Sequence, residues 1–336
     1  MKESKCIICN ETAEIVIENF NGYKEGEKFN IYHCSLCNTS FASPHEVDDK
    51  IYDYIYSHAQ IVPGYNRYAV YANEIKNQKN ALNYLAGKEA MYFAIRNLFS
   101  EFPNKKIKIL EVGSGLGYLT YAIDEQGFDI KGLDISAKAI ESSRKHFGEN
   151  FICDDVHNYS LHNPEKFDVV VLTEVIEHVP CPKDFCNLLL NLLKPQGKLI
   201  ITTPNKSAYP KNELWYTELP PVHLTWFSED SFKKISQKLN TGIQFFDFSG
   251  FNKKHIDITK YKYYSRYIKR NKMHPTLAAD GSLLHPTGPA TNKFKKIRSI
   301  LKKKLRIIID PFLIRFFTDK SYPGRNNILC VILQKK

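Results

Sequence analysis

Between residues 105 and 251, short apolar runs alternate with segments of helical period, and no other feature restricts the fold of this chain as strongly. "KIKILEVG", "DIKGLDIS", "NFICDDV", "FDVVVLTE", "KLIITTPN" and "GIQFFDFSG" read as strands, and "NNILCVILQ" adds a last one at 326–334. "YLTYAIDEQG", "AKAIESSRKHFG", "PKDFCNLLLNLLKPQG" and "SEDSFKKISQKL" read as helices. Ser228 is the expected cap of the last of these, with Glu229 and Asp230 in a first turn where carboxylates suit the helix dipole. Apolar strands that alternate with helices predict an α/β fold, a mostly parallel sheet with helices on both faces.

Ahead of this region stand two cysteine knuckles, Cys6-x-x-Cys9 and Cys34-x-x-Cys37, with 24 residues between them. The strand-like runs "AEIVIENF" and "KFNIYHC" separate them. Paired knuckles on short hairpins place four thiolates around one tetrahedral ion, so residues 1–42 are expected to be a zinc ribbon with Zn2+ bound by Cys6, Cys9, Cys34 and Cys37. With all four ligands from protein, the ion is structural. Cys153, Cys181, Cys186 and Cys330 are expected to pack in the core.

Residues 43–104 are aromatic-rich and turn helical toward their end, an expected connector. Within it Tyr65, Arg67, Tyr68 and Tyr71 follow Pro63-Gly64 as a lid over a site would. Residues 252–324 interrupt the strand–helix rhythm before the last strand at 325–336. The net charge of +11 is uneven: residues 252–336 hold 21 Lys and Arg against 4 Asp and Glu, while the preceding 251 residues hold 26 against 32. The C-terminal quarter should therefore meet something anionic. In 293–317 apolar residues recur at spacings of three and four with Lys and Arg between them, a pattern suited to an anionic membrane surface or, without need of the apolar stripe, to nucleic acid. No run of 18 apolar residues occurs, and "MKESKCIICNE" lacks an apolar signal core, so the expectation is a cytoplasmic protein, peripheral at the inner membrane face if 293–317 binds lipid.

In "ILEVGSGLGYLT" a strand ends at Glu111, and Gly113, Gly115 and Gly117 lead into a helix. Such glycines allow a tight turn and close backbone approach to a ligand. Asp134 ends the next strand, 23 residues after Glu111, where an acid can hold both ribose hydroxyls; Asp154 and Asp155 end the third, where an adenine amino group could be met. Together with "FDVVVLTEVIEHVPCP" and "LLKPQGKLIITTPN", these residues resemble the class I S-adenosylmethionine-dependent methyltransferases over 105–251 and the last strand. The resemblance implies a Rossmann-like, seven-stranded sheet whose last strand is antiparallel. It implies S-adenosylmethionine as methyl donor, with Glu111, Gly113, Gly115 and Gly117 near its methionine end, Asp134 on ribose, and Asp154 or Asp155 near adenine. Glu174 is also expected to contact donor or acceptor.

Glu174, Glu177 and His178 leave the fourth strand of this region, at the sheet edge where such folds bind ligands, and His223 follows the fifth. The Glu-x-x-Glu-His…His set resembles that of the ubiquinone-biosynthesis O-methyltransferases and of the small-RNA 3′-end 2′-O-methyltransferases, in which such residues chelate a metal at the acceptor oxygen. Two readings stand. The four residues hold a divalent cation, Mg2+ or Mn2+, or His178, His223 and Glu174 act on the acceptor directly, with a histidine as base. "EHVP" and "HLTWFS" also resemble stretches of methyltransferases of glycan pathways, and the order of ribbon, "VPGYNRY" and catalytic domain resembles that of bacterial sugar methyltransferases. The expected activity is methylation of a hydroxyl on a small molecule or glycan intermediate. RNA 2′-O-methylation, sugar C-methylation and a non-enzymatic ribbon-led assembly module are the alternatives.

Overall fold

The computed structural model describes residues 3–208, 218–255, 274–286 and 324–336. The basic segment 293–317 lies outside the described residues.

The N-terminal strands β1 (Glu3–Lys5), β2 (Thr12–Asn21), β3 (Lys28–Cys34) and β4 (Thr39–Ser43) form an antiparallel meander. A fifth strand completes this sheet, and it comes from far along the chain: β10 (Thr225–Trp226) pairs with β4, Thr225 opposite Phe41 and Trp226 opposite Ser40. Trp226 is fully buried with Phe29, Ile31 and Ala42. The ribbon is thus built jointly with the larger unit.

Helices α1 (Asp49–Ser57), α2 (Asn66–Glu74), α3 (Ala81–Ala86) and α4 (Ala90–Ser100) make the connector. Then β5 (Lys108–Val112), α5 (Tyr118–Asp124), β6 (Asp129–Asp134), α6 (Ala137–Phe147), β7 (Phe151–Cys153), α7 (Val156–His162), β8 (Phe167–Thr173), α8 (Pro182–Leu192) and β9 (Leu193–Pro204) follow in alternation. After β10 come α9 (Glu229–Leu239), β11 (Gly242–Phe245), α10 (Ser249–Asn252) and β12 (Ile328–Gln334). The seven-stranded sheet runs β11-β12-β9-β8-β5-β6-β7. Its five members from β9 to β7 are parallel, and β12 is antiparallel to both β9 and β11. Residues Val169 to Leu172 are buried to 1% or less on both faces, which is why this strand carries an unbroken apolar run.

Two local differences from the sequence reading have physical causes. The helix expected over "PKDFCNLLLNLLKPQG" ends at Leu192, because Pro195 disfavours helical backbone before it and Gln196 takes a φ of +64°. "LKPQG" instead opens β9, Leu193 pairing with Phe167. The short helix α7 was absent from the reading; Asp155 caps it by accepting from the amides of His157 and Asn158. Ser228 does cap α9, its hydroxyl accepting from Ser231 N–H while the Ser231 hydroxyl accepts from Ser228 N–H.

Candidate active site

The C-terminal ends of β5, β6 and β8 open onto a cavity of about 1160 Å³. Pockets for one drug-sized ligand run to about 300–1,000 Å³, so there is room for two molecules. Helices α1 and α2 close one side.

One half of the cavity is built on the glycine loop. Gly113 and Gly117 have φ of +74° and +77°. A Cβ on Gly113 would stand 2.5 Å from Val175, and one on Gly117 would stand 2.7 Å from Phe151 and Ser143, so both positions exclude side chains by sterics as well as by backbone. Gly113 and Ser114 N–H donate to Leu133 O at the end of β6. Gly115 N–H and Ser136 N–H both donate to the Asp134 carboxylate, at 2.8 and 2.9 Å. An ionised carboxylate has about four acceptor positions, so Asp134 keeps capacity for a diol. Glu111 is buried and accepts from the Thr120 hydroxyl. Burial pushes its carboxyl up to about 8, against the opposing pull of Thr120. The Tyr56 ring of α1 lies over Gly115. The charge of Asp134, followed by burial, holds its phenol well above the usual range. Asp154 and Asp155 line the cavity beside exposed Ile135, although Asp155 is also the cap of α7. Gly117 stands behind the cavity wall at the start of α5.

The other half gathers around the turn after β8. Glu174 has φ +53°, and its carboxylate accepts from Thr202 Oγ1 at 3.0 Å. It is half-buried, and what exposure it keeps is to the cavity; burial raises its carboxyl to about 8. A 3-10 turn at Ile176–His178 then turns Glu177 inward. Glu177 is fully buried; its Oε2 accepts from Thr203 Oγ1 at 3.0 Å, and its Oε1 has no hydrogen-bond partner among the described residues. Burial, then the charge of Glu174, places this carboxyl well above its ordinary range. His178 Nδ1 lies 2.6 Å from Val222 O. Because a carbonyl accepts, Nδ1 carries the hydrogen and Nε2 is the lone-pair nitrogen. Burial, and then the charge of His223, lowers its pKa to about 4. The rings of His178 and His223 are 4.8 Å apart.

Glu177, His178 and His223 each offer a ligand atom within 4.8 Å of the others. Glu174 stands outside that group, nearer the donor half. The residue that sequence reasoning missed is Glu218: its Oε2 lies 2.6 Å from His223 Nε2. Burial alone would raise Glu218, yet His223 outweighs it and the carboxyl sits at about 2. Arg67 was singled out only as part of a lid. It enters the cavity from α2, donating to Glu89 at 2.9 Å and lying across the Tyr68 ring.

The four ribbon cysteines also converge. Cys6 and Cys37 sulfurs are 3.5 Å apart, Cys9 and Cys34 sulfurs 3.4 Å, and all four lie within 4.8 Å. Thiolates about 2.3 Å from one ion stand about 3.8 Å apart at tetrahedral angles, so the set fits zinc after a small outward movement. Of the other cysteines, Cys186 and Cys330 are buried as expected, whereas Cys153 and Cys181 are exposed.

A family model described as a methyltransferase domain matches residues 84–241. That span of the chain resembles a methyltransferase domain. Over 109 residues it is 36% identical to a ubiquinone biosynthesis O-methyltransferase of Actinobacillus pleuropneumoniae, covering 30% of this chain and 47% of that protein. It is 33% identical over 106 residues to the protein of the same name from Pectobacterium carotovorum, covering 30% and 44%. The chain spans less than half the length of these relatives. Among solved structures, a SAM-dependent methyltransferase from Archaeoglobus fulgidus is similar at 15% identity and a TM-score of 0.44, over 80% of this chain and 99% of that one. The matched span takes in Glu111, Asp134, Glu174, Glu177, His178, Glu218 and His223, and leaves the ribbon and helices α1 and α2 outside it.

Proposed function

We propose that the protein is an S-adenosylmethionine-dependent O-methyltransferase whose acceptor, a hydroxyl of a small molecule or glycan intermediate, meets a divalent cation held by Glu177, His178 and His223. The observation that carries this reading is Glu177 Oε1, a fully buried carboxyl oxygen without a hydrogen-bond partner among the described residues, 4.0 Å from His223 Nε2. Leaving such an atom unpaired costs about 1–3 kcal/mol or more, and a cation removes that cost. The low basicity of His178 argues the same way, since an imidazole with pKa about 4 is a weak base but a ready neutral ligand.

When bound, S-adenosylmethionine would supply an activated methyl for the acceptor oxygen, the electron pair of its carbon–sulfur bond staying on sulfur. A bound cation would supply a lowered hydroxyl pKa. The protein orients and receives the proton. Asp134 and the glycine loop fix the donor, while Glu174, at the junction of the two halves, can align the acceptor with the methyl. Glu218 Oε2, 2.6 Å from His223 Nε2, orients the His223 ring. The 2.6 Å contact between Glu218 and His223 also favours a second reading, a carboxylate-held base without a cation. A methyl-donor assay against pooled nucleotide sugars, glycolipids and RNA, with and without chelator and after one zinc per chain is restored, separates them. Turnover that survives chelation but not His223→Ala leaves the base reading alone. RNA among the methylated products would replace the small-molecule acceptor.

A further inference from the structure

The loop at 218–224 carries Glu218 and His223, and it is held from the ribbon. At its start Pro220 O accepts from Tyr23 N–H, 2.6 Å, at the tip of the β2–β3 hairpin. At its end Leu224 O accepts from Ala42 N–H of β4, 2.9 Å, and Leu224 N–H donates to Glu177 O, 2.9 Å. One residue, Leu224, therefore stands between the ribbon sheet and the turn bearing Glu177 and His178. Beyond β10 the link reaches the cysteines themselves: Cys37 O accepts from Ser228 Oγ at 2.8 Å and from Ser231 Oγ at 3.3 Å, and Thr39 Oγ1 lies 2.6 Å from Ser231 Oγ. All three hydroxyl-bearing residues are buried. Lys238 Nζ, further along α9, donates to Ile8 O in the other knuckle.

We infer that the cysteine-rich ribbon is a working part of the acceptor site: gathering its four thiolates on a metal fixes the second knuckle, the knuckle fixes β10, and β10 fixes Glu218 and His223. This rests on reading Glu177, His178 and His223 as the acceptor site. The donor half has supports of its own, namely Leu133 O, Asp134 and the packing of Phe151 on Gly117. Since metal binding in such a ribbon is folding free energy, emptying it should disorder the acceptor half first and leave donor binding in place.

The test uses the full chain and needs no acceptor. Zinc is withdrawn with a chelator, the chelator is removed, and three quantities are followed: the histidine ring signals in NMR, Mn2+ affinity, and S-adenosylhomocysteine affinity. The expected result is displaced His178 and His223 signals and Mn2+ binding weakened about tenfold or more, with S-adenosylhomocysteine affinity held within about twofold. Ser228→Ala combined with Ser231→Ala should reproduce the displacement while zinc is retained, through loss of the hydrogen bonds to Cys37 O. Asn80→Ala, which removes the cap of α3, is the control and should move neither histidine. Unmoved histidine signals on zinc withdrawal would overturn the inference. So would loss of S-adenosylhomocysteine binding by the same factor as Mn2+, which would make the ribbon a general stabiliser. If the native protein holds no Mn2+ at the outset, the cation reading fails, and the histidine signals still decide this proposal.

Discussion

The carboxylate of Glu177 stops 4.0 Å short of His223 Nε2, too far to pair with it and too close to ignore it. Ligand atoms on one octahedral cation stand about 3 Å apart, so a shared cation would draw these two groups together. Glu177→Gln is accordingly expected to weaken Mn2+ binding by about tenfold or more, read by calorimetry or spin resonance. In the metal-free protein the same change should cost little stability, since it replaces a carboxyl that burial already holds in its neutral form. Unaltered Mn2+ affinity would remove the cation from the site.

Glu111 gives a pH signature. Burial holds its carboxyl at about 8, above the unfolded value near 4.3. Its contribution to stability is therefore present below about pH 4.3 and is lost as pH rises through about 8. Relative to Glu111→Gln, which does not titrate, the wild type should lose stability between pH 5 and 8, roughly, in thermal melts without donor. His178 runs the other way: its folded pKa of about 4 lies below the unfolded 6.5 or so, so its contribution is lost as pH falls through about 4. A wild type that gains on Glu111→Gln with rising pH would contradict the assignment.

Asp134→Ala should weaken S-adenosylmethionine. Each charge-assisted hydrogen bond contributes about 1.5–3 kcal/mol, so the loss is about tenfold to a hundredfold or more by calorimetry. Part of it comes through the loop, because the variant also frees Gly115 N–H and Ser136 N–H. Unchanged affinity would move ribose recognition elsewhere.

Much of this arrangement was readable from the chain alone. Periodicity marked the strands of the sheet, and the acid at the end of β6 was in place because a strand end followed by a helix cap leaves a local pattern. The knuckles were equally legible, since spacing alone brings their thiolates together. Glu218 left no such mark: it lies in "ELPPVHL", and its role arises only from the fold of that loop against His223. The same holds for Tyr56 over Gly115 and for β10, two residues long, whose partner is 184 positions away in sequence. Periodicity reports which face is apolar; it is silent about which distant segment covers that face.

One zinc per chain is expected from elemental analysis of protein purified without chelator, and its absence would sink the ribbon assignment. Cys34→Ser should release the metal and loosen both knuckles, because the thiolates have no other fourth partner among the described residues.

The basic stretch 293–317 is expected to bring the protein to anionic vesicles at low salt, with binding lost when Ile297, Leu301 and Leu305 become Ser. Sedimentation without binding at low salt, where attraction is least screened, would remove the membrane as a partner.

The two-residue strand β10 has a further consequence, for how this molecule is made. During synthesis the ribbon emerges first, with the outer rim of β4 bare until residues 225 and 226 arrive. For that interval it presents free amides and carbonyls, the kind of rim on which chains adhere to one another. A fragment ending before Thr225 would keep that rim permanently. Dissecting the protein at the visible boundary near residue 43 would therefore yield a sticky piece, and the self-standing unit is the one that runs through β12.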